Sequence, residues 1–251
     1  IPLRLVGSEM CIRDSSNPEW KLVVDELVAK HQAQVIVYEK HVSEALPSLR
    51  EAFPRYACFV ATSNEATRQM VADVHRLTRK LDEDPYTDVL WGVLTGFDAA
   101  NALEIAKERE PLVIKRVASG TELAMDRVNE GVWYCELEQN RMVRKSAGGE
   151  AKQSRGPSDT TEALAQSLSD YKADLFVTSG HATERDWQIG FRYRNGYFQS
   201  KGGNLFGVDT QGKKFPIVSP NPKVYLPIGN CLMGHIDGPD AMALAFMKSA
   251  G

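Results

Sequence analysis

Two residues of this chain have the types and the setting for nucleophilic chemistry. Cys231 follows the apolar run KVYLPIGN (223–230), and His181 follows ADLFVTSG (173–180). Each lies just past a strand-like segment. In an open parallel α/β sheet, reactive groups collect beyond the carboxyl ends of the strands, so two neighbouring strands would bring both side chains to one rim. The chemistry needs the pair. Only the thiolate of a cysteine is a nucleophile, and a free thiol with a pKa of about 8.5 is a few per cent ionised at neutral pH. A nearby imidazole takes the proton or protonates a leaving amine.

Their neighbours offer supporting roles. Asn230 can steer the Cys231 loop through hydrogen bonds. Glu184 and Asp186 follow His181 and either orient the imidazole, line a substrate pocket or form a solvated turn. Trp187 either walls a cleft or packs under the loop. His235 is a rival partner, since Cys231 and His235 are four apart in CLMGH, but Gly234 and Gly238 argue against the helix that would align them. His31, His41 and His75 have no companions and read as surface residues. Cys58 and Cys135 lie inside apolar strands and read as core.

The elements that must position this pair alternate in type. Helical periodicity and a leading proline mark 18–31, followed by strand-like 33–39, an interrupted helix over 41–54 and a strand over 56–62. A long amphipathic helix is expected over 63–82, capped by Ser63 or Asn64, then a strand over 88–96 and a helix over 97–110. Beyond these come a strand over 132–138, a loop over 145–159, a helix over 158–171, and the two strands ahead of His181 and Cys231. Asn195-Gly196 is the best short hairpin signal. The glycine-rich 202–214 lacks the ending of a phosphate loop and reads as a flexible connection. A last helix is expected over 238–251. Strands alternating with helices imply an α/β fold with a mostly parallel sheet.

Composition narrows the function. With 251 residues and a net charge of −3, the chain has no basic stripe for nucleic acid, and no apolar run long enough to span a membrane. The cysteines have neither a disulfide framework nor CxxC spacing for zinc. The segment VGSEMCIRDS (6–15) resembles the translation of a sequencing-library adaptor, so 1–15 are set aside from the fold. The chain opens on Ile1 and stops directly after a helix-like segment, which suggests truncation at both ends.

Three stretches together, DPYTDVLWGVLTGFDAANALEIA (84–106), FVTSGHATERDWQIG and LPIGNCLMGHID, resemble gingipain-like cysteine peptidases over about residues 85–251. The gap of about 50 residues from His181 to Cys231 is similar to that in caspases. The resemblance implies a caspase-like three-layer sandwich over 121–251, truncated at its C-terminus and preceded by a smaller α/β subdomain over 16–120. It implies a peptidase acting on polypeptides through a Cys–His dyad and a thioester acyl-enzyme. His181 would be the general acid/base and Cys231 the nucleophile. The backbone N–H groups of Ala182 and Cys231 would form the oxyanion hole. It implies a secreted or periplasmic protein. No cofactor is required; calcium enters by resemblance alone, through Asp84 and Asp88, which fall where family members carry acidic residues. One departure stands out: Ala182 occupies a place where the family usually has glycine, which costs about 1 kcal/mol or more if that position needs positive φ. Two other readings stand beside this one. The first is a caspase-like scaffold that no longer cleaves, which Ala182 favours. The second is a different α/β enzyme, although no G-x-G-x-x-G, G-K-[ST] or G-x-S-x-G motif is present.

Overall fold

In the computed structural model the backbone is described over residues 8–12 and 17–249, with side chains described from residue 17 onward. The chain forms two compact units, Ile1–Arg109 and Glu110–Gly251. The expected division at 120/121 therefore shifts, because the strand at Arg116–Ser119 pairs entirely within the second unit.

The first unit contains β1 (Ser8–Ile12), α1 (Pro18–His31), β2 (Gln34–Val37), a 3-10 turn (Val42–Ala45), α2 (Leu46–Ala52), β3 (Tyr56–Val60), α3 (Arg68–Leu77), β4 (Leu90–Leu94) and α4 (Ala99–Lys107). Its sheet is parallel throughout, in the order β2-β1-β3-β4. Of the segment 1–15 set aside above, only the backbone of β1 falls among the described residues, and it occupies an interior place in this sheet. Its sequence, SEMCI, begins with a serine and a glutamate where interior parallel strands are ordinarily runs of Val, Ile and Leu. β3 shows how both faces are covered. Val60 joins Trp20, Val23 and Leu27 of α1 and Ala102 of α4, while Phe59 joins Leu49 of α2 and Val74 and Leu77 of α3.

Two helix starts show local chemistry at work. Asn17 accepts from Glu19 N–H ahead of Pro18, which has no N–H to satisfy. α3 begins five residues later than the sequence suggests. Glu65 turns back onto Thr62 N–H, and Thr67, rather than Ser63 or Asn64, caps Met70 N–H.

The second unit contains β5 (Arg116–Ser119), a 3-10 turn (Met125–Arg127), β6 (Glu130–Tyr134), β7 (Arg141–Lys145), β8 (Ala151–Arg155), α5 (Thr161–Ser169), β9 (Leu175–Ser179), β10 (Asp186–Gln188), β11 (Tyr197–Lys201), β12 (Asn204–Val208), β13 (Lys214–Ile217), β14 (Val224–Ile228) and α6 (Met242–Ser249). Six strands form one sheet in the order β14-β9-β5-β6-β7-β8, parallel from β14 to β6 and antiparallel beyond. β10 to β13 form a separate antiparallel sheet. Phe176, Leu164 and Leu168 of α5, Phe198, Leu205 and Phe246 of α6 share one core.

Two expected loops are strands. The segment 145–159 holds β8, an edge strand exposed along its whole length, so its composition is polar on both faces. The segment 202–214 holds β12 and the start of β13. The hairpin turn also moves. It falls at Gly202-Gly203, both at positive φ, between β11 and β12. Asn195 instead holds Thr160 through its side chain, and Gly196 packs so tightly that a Cβ would collide with Val208 O.

Candidate active site

β9 and β14 are adjacent and parallel, with Ser179 opposite Ile228. Both chains leave the sheet through glycines in left-handed conformations, Gly180 (φ 108°) and Gly229 (φ 69°). His181 follows Gly180 directly and Cys231 follows Gly229 after Asn230, both exposed, on the same rim. The register of one parallel pair thus places imidazole and thiol on neighbouring strand ends. Among the described residues no hydrogen bond joins them. The His181 ring instead stacks on Phe191, with centroids 5.1 Å apart, and Phe191 N–H is anchored to Glu136 O (2.6 Å) just past β6.

The backbone beside each side chain is distinctive. His181 opens a hairpin closed by Gln188 N–H to His181 O (2.9 Å) and Thr183 N–H to Asp186 O (2.8 Å). Ala182 faces Trp187 as the non-bonded pair between them, so its N–H is directed out of the hairpin. Neither Ala182 N–H nor Cys231 N–H meets an acceptor among the described residues. Ala182 is not among the non-glycine residues at positive φ, so alanine is unstrained there; Gly180 takes the left-handed turn. Strain sits on the other loop, where Leu232, directly after Cys231, has φ 60°. A non-glycine residue held there costs about 1–3 kcal/mol, a cost that tends to collect at functional sites.

The neighbouring residues divide by role. Asn230 ties the Cys231 loop to β9. The amide orientation that satisfies all its polar atoms accepts from Thr178 Oγ1 (3.1 Å) and Trp187 Nε1 (3.2 Å) and donates to Ile228 O (3.0 Å). Thr178 Oγ1 also bonds the Tyr225 hydroxyl (3.0 Å), whose pKa burial pushes up. Trp187 is not a cleft wall. It is fully buried, donates to Ser179 O (2.8 Å) and packs so closely on Gly120 that a Cβ there would lie 2.7 Å from the indole. Asp186 does not orient His181 either. Its carboxylate accepts from Gln199 Nε2 (3.1 Å) and Thr183 Oγ1 (3.4 Å), and it lines a cleft of about 620 Å³ with His181, Ala182, Gln188, Tyr193 and Tyr197. Cys231 is not in the wall of that cleft.

Glu184 is engaged elsewhere as well: it accepts from His235 Nδ1 (3.1 Å). Its neighbour Arg185 pairs with Asp237 (2.9 Å), and that carboxylate raises the guanidinium pKa further. These contacts span 51 and 52 residues, which is why no local pattern announced them. His235 lies in a turn rather than a helix and pairs with Glu184, so the Cys231–His235 alternative has no helical frame.

In the first unit, Asp82, Asp84 and Asp88 bring one carboxylate oxygen each within 4.8 Å of the others. Asp88 Oδ2 is buried without a hydrogen-bond partner. Hard oxygen donors of this kind fit calcium, which takes about 6–8 such ligands. Asp82 and Asp84 also accept from the backbone N–H groups of Asp84 and Tyr86, as ordinary turns do.

Among the described residues no helix is long and apolar enough to cross a membrane. Compared with known proteins, the chain matches no protein-family model, no curated protein and no solved structure.

Proposed function

We propose that the second unit is a cysteine peptidase domain of caspase-like, gingipain-like architecture, cleaving peptide bonds with Cys231 and His181. One observation carries this reading: β9 and β14 are neighbours in register, so the two side chains leave the same sheet rim. The Cys231 thiolate attacks the scissile carbonyl carbon, and the carbonyl electron pair moves onto oxygen. The N–H groups of Ala182 and Cys231 supply donors for that oxyanion, each worth about 3–4 kcal/mol of barrier when aligned. Collapse breaks the C–N bond, and the amine leaves with a proton from the His181 imidazolium. Water then hydrolyses the thioester, with His181 as base. The cleft beside His181 would take a substrate side chain. The three aspartates of the first unit would hold a cation in a structural role, ordering their loop.

The reading of a non-cleaving scaffold draws on the stacking of His181 on Phe191 rather than against the thiol. Catalytic hydrogen bonds often tighten only once substrate binds. Ala182, the sequence feature that favoured a scaffold, loses its force, because the backbone there needs no glycine. Turnover of peptide libraries separates the two readings. Cys231→Ala is expected to abolish hydrolysis, and His181→Ala to lower kcat/KM by about 10²–10⁴. Undiminished cleavage by a folded Cys231→Ala protein would end the peptidase assignment.

A further inference from the structure

The sheet registers β9 against β14 only as far as Ser179 and Ile228. Beyond those residues each loop turns away through a left-handed glycine, and no strand pairing carries the alignment on to His181 and Cys231. What joins the loops there is a set of side chains. Two consecutive residues of the His181 hairpin reach two residues of the Cys231 loop: Glu184 accepts from His235 Nδ1 at 3.1 Å, and Arg185 meets Asp237 at 2.9 Å. Glu184 also fixes the start of α6, since its carbonyl accepts from Met242 N–H (2.7 Å).

We propose that these two pairs form a clasp that sets the His181 hairpin against the Cys231 loop, making Glu184, Arg185, His235 and Asp237 positioning residues of the dyad. The proposal rests on the peptidase reading. Two features separate a clasp from incidental surface pairing. The contacts are paired in order, 184 with 235 and 185 with 237, so together they fix rotation as well as distance between the loops. The segment they restrain on the far side, His235 to Asp237, is tied back to the strained Leu232 by His235 N–H to Leu232 O (2.9 Å). Side-chain exposure of 41% and 30% at Arg185 and Asp237 means that the second pair adds little to global stability. Its loss is therefore expected to appear in the chemistry rather than in folding.

The test is a charge reversal with the whole chain, read as the second-order rate of Cys231 labelling by a peptidyl chloromethyl ketone. Arg185→Asp and Asp237→Arg alone should each slow labelling about 10-fold or more, since a misplacement of about 1 Å can cost about 10²-fold. The double reversal should return the rate to within about 3-fold of the parent. At the other pair, His235→Ala should slow labelling while His235→Asn, which keeps a donor near the Nδ1 position, should not. Melting temperatures should move little throughout. Single reversals that label at the parent rate, or a double variant no better than the singles, would overturn the clasp. A parent protein whose labelling is indifferent to His181→Ala would instead overturn the peptidase reading, a separate result.

Discussion

Cys58 and Cys231 are both cysteines of parallel α/β sheets, and their surroundings are opposite. Cys58 sits within β3, flanked on both sides by ladder partners and packed against the core that α1 and α4 share. Burial pushes its thiol up to about 11. Cys231 lies three residues past the end of β14, exposed, between the left-handed Gly229 and Leu232. Cys135 shows that a strand end alone is not enough. It also follows a strand, β6, yet it is buried, its thiol sits 3.2 Å from the Glu122 carboxylate, and burial raises its pKa. On the proposed reading, a strand end becomes reactive when the chain turns outward there and an imidazole leaves the neighbouring strand.

The two thiols should differ most in their rate of alkylation. At pH 7 iodoacetamide should alkylate Cys231 at least about 100-fold faster than Cys58, because a pKa near 11 leaves almost no thiolate at Cys58. Peptide mapping against time checks this, and comparable rates would show that the two thiols are equally accessible and ionised. The same raised pKa has a sign for stability. Between about pH 9 and 11 the unfolded chain gives up the Cys58 proton while the folded one keeps it, so stability should fall as pH rises through that window. Cys58→Ala should flatten the fall in urea melts.

A second effect concerns what holds the loops of His181 and Cys231. Trp187 is buried beneath them, its indole N–H bonded to Ser179 O and within reach of Asn230. Trp187→Ala should destabilise the second unit by about 3–5 kcal/mol in denaturant unfolding. A loss below about 1 kcal/mol would mean the hairpin is supported some other way. The smallest effect is at Ala182. Since its backbone is not left-handed, Ala182→Gly should change kcat/KM by less than about 3-fold. A large gain would show that the position adopts positive φ with substrate bound.

Much of the scaffold was legible in the residues. Pro18 and the helical spacing marked α1 over the full span it occupies, and the apolar runs ahead of His181 and Cys231 are β9 and β14. What escaped was structure whose pattern is set by tertiary surroundings. β8 is an edge strand wet on both faces, so its residues look like a loop. Asn195-Gly196 has hairpin chemistry, but Asn195 is used to hold Thr160 and Gly196 to admit a close backbone. The site divides in the same way. His181 and Cys231 could be singled out because each ends a recognisable strand. The partners of Glu184 and Arg185 lie about 50 residues away and leave no local mark.

Peptidase chemistry at this rim requires the imidazole of His181 to act on the sulfur of Cys231. It is tested most directly by treating the parent and His181→Ala proteins with a peptidyl acyloxymethyl ketone and following intact mass and the modified peptide. The expected result is one adduct, on Cys231, forming at least about 100-fold more slowly without the imidazole at equal folded stability. Labelling of Cys231 at the same rate in both proteins would contradict it.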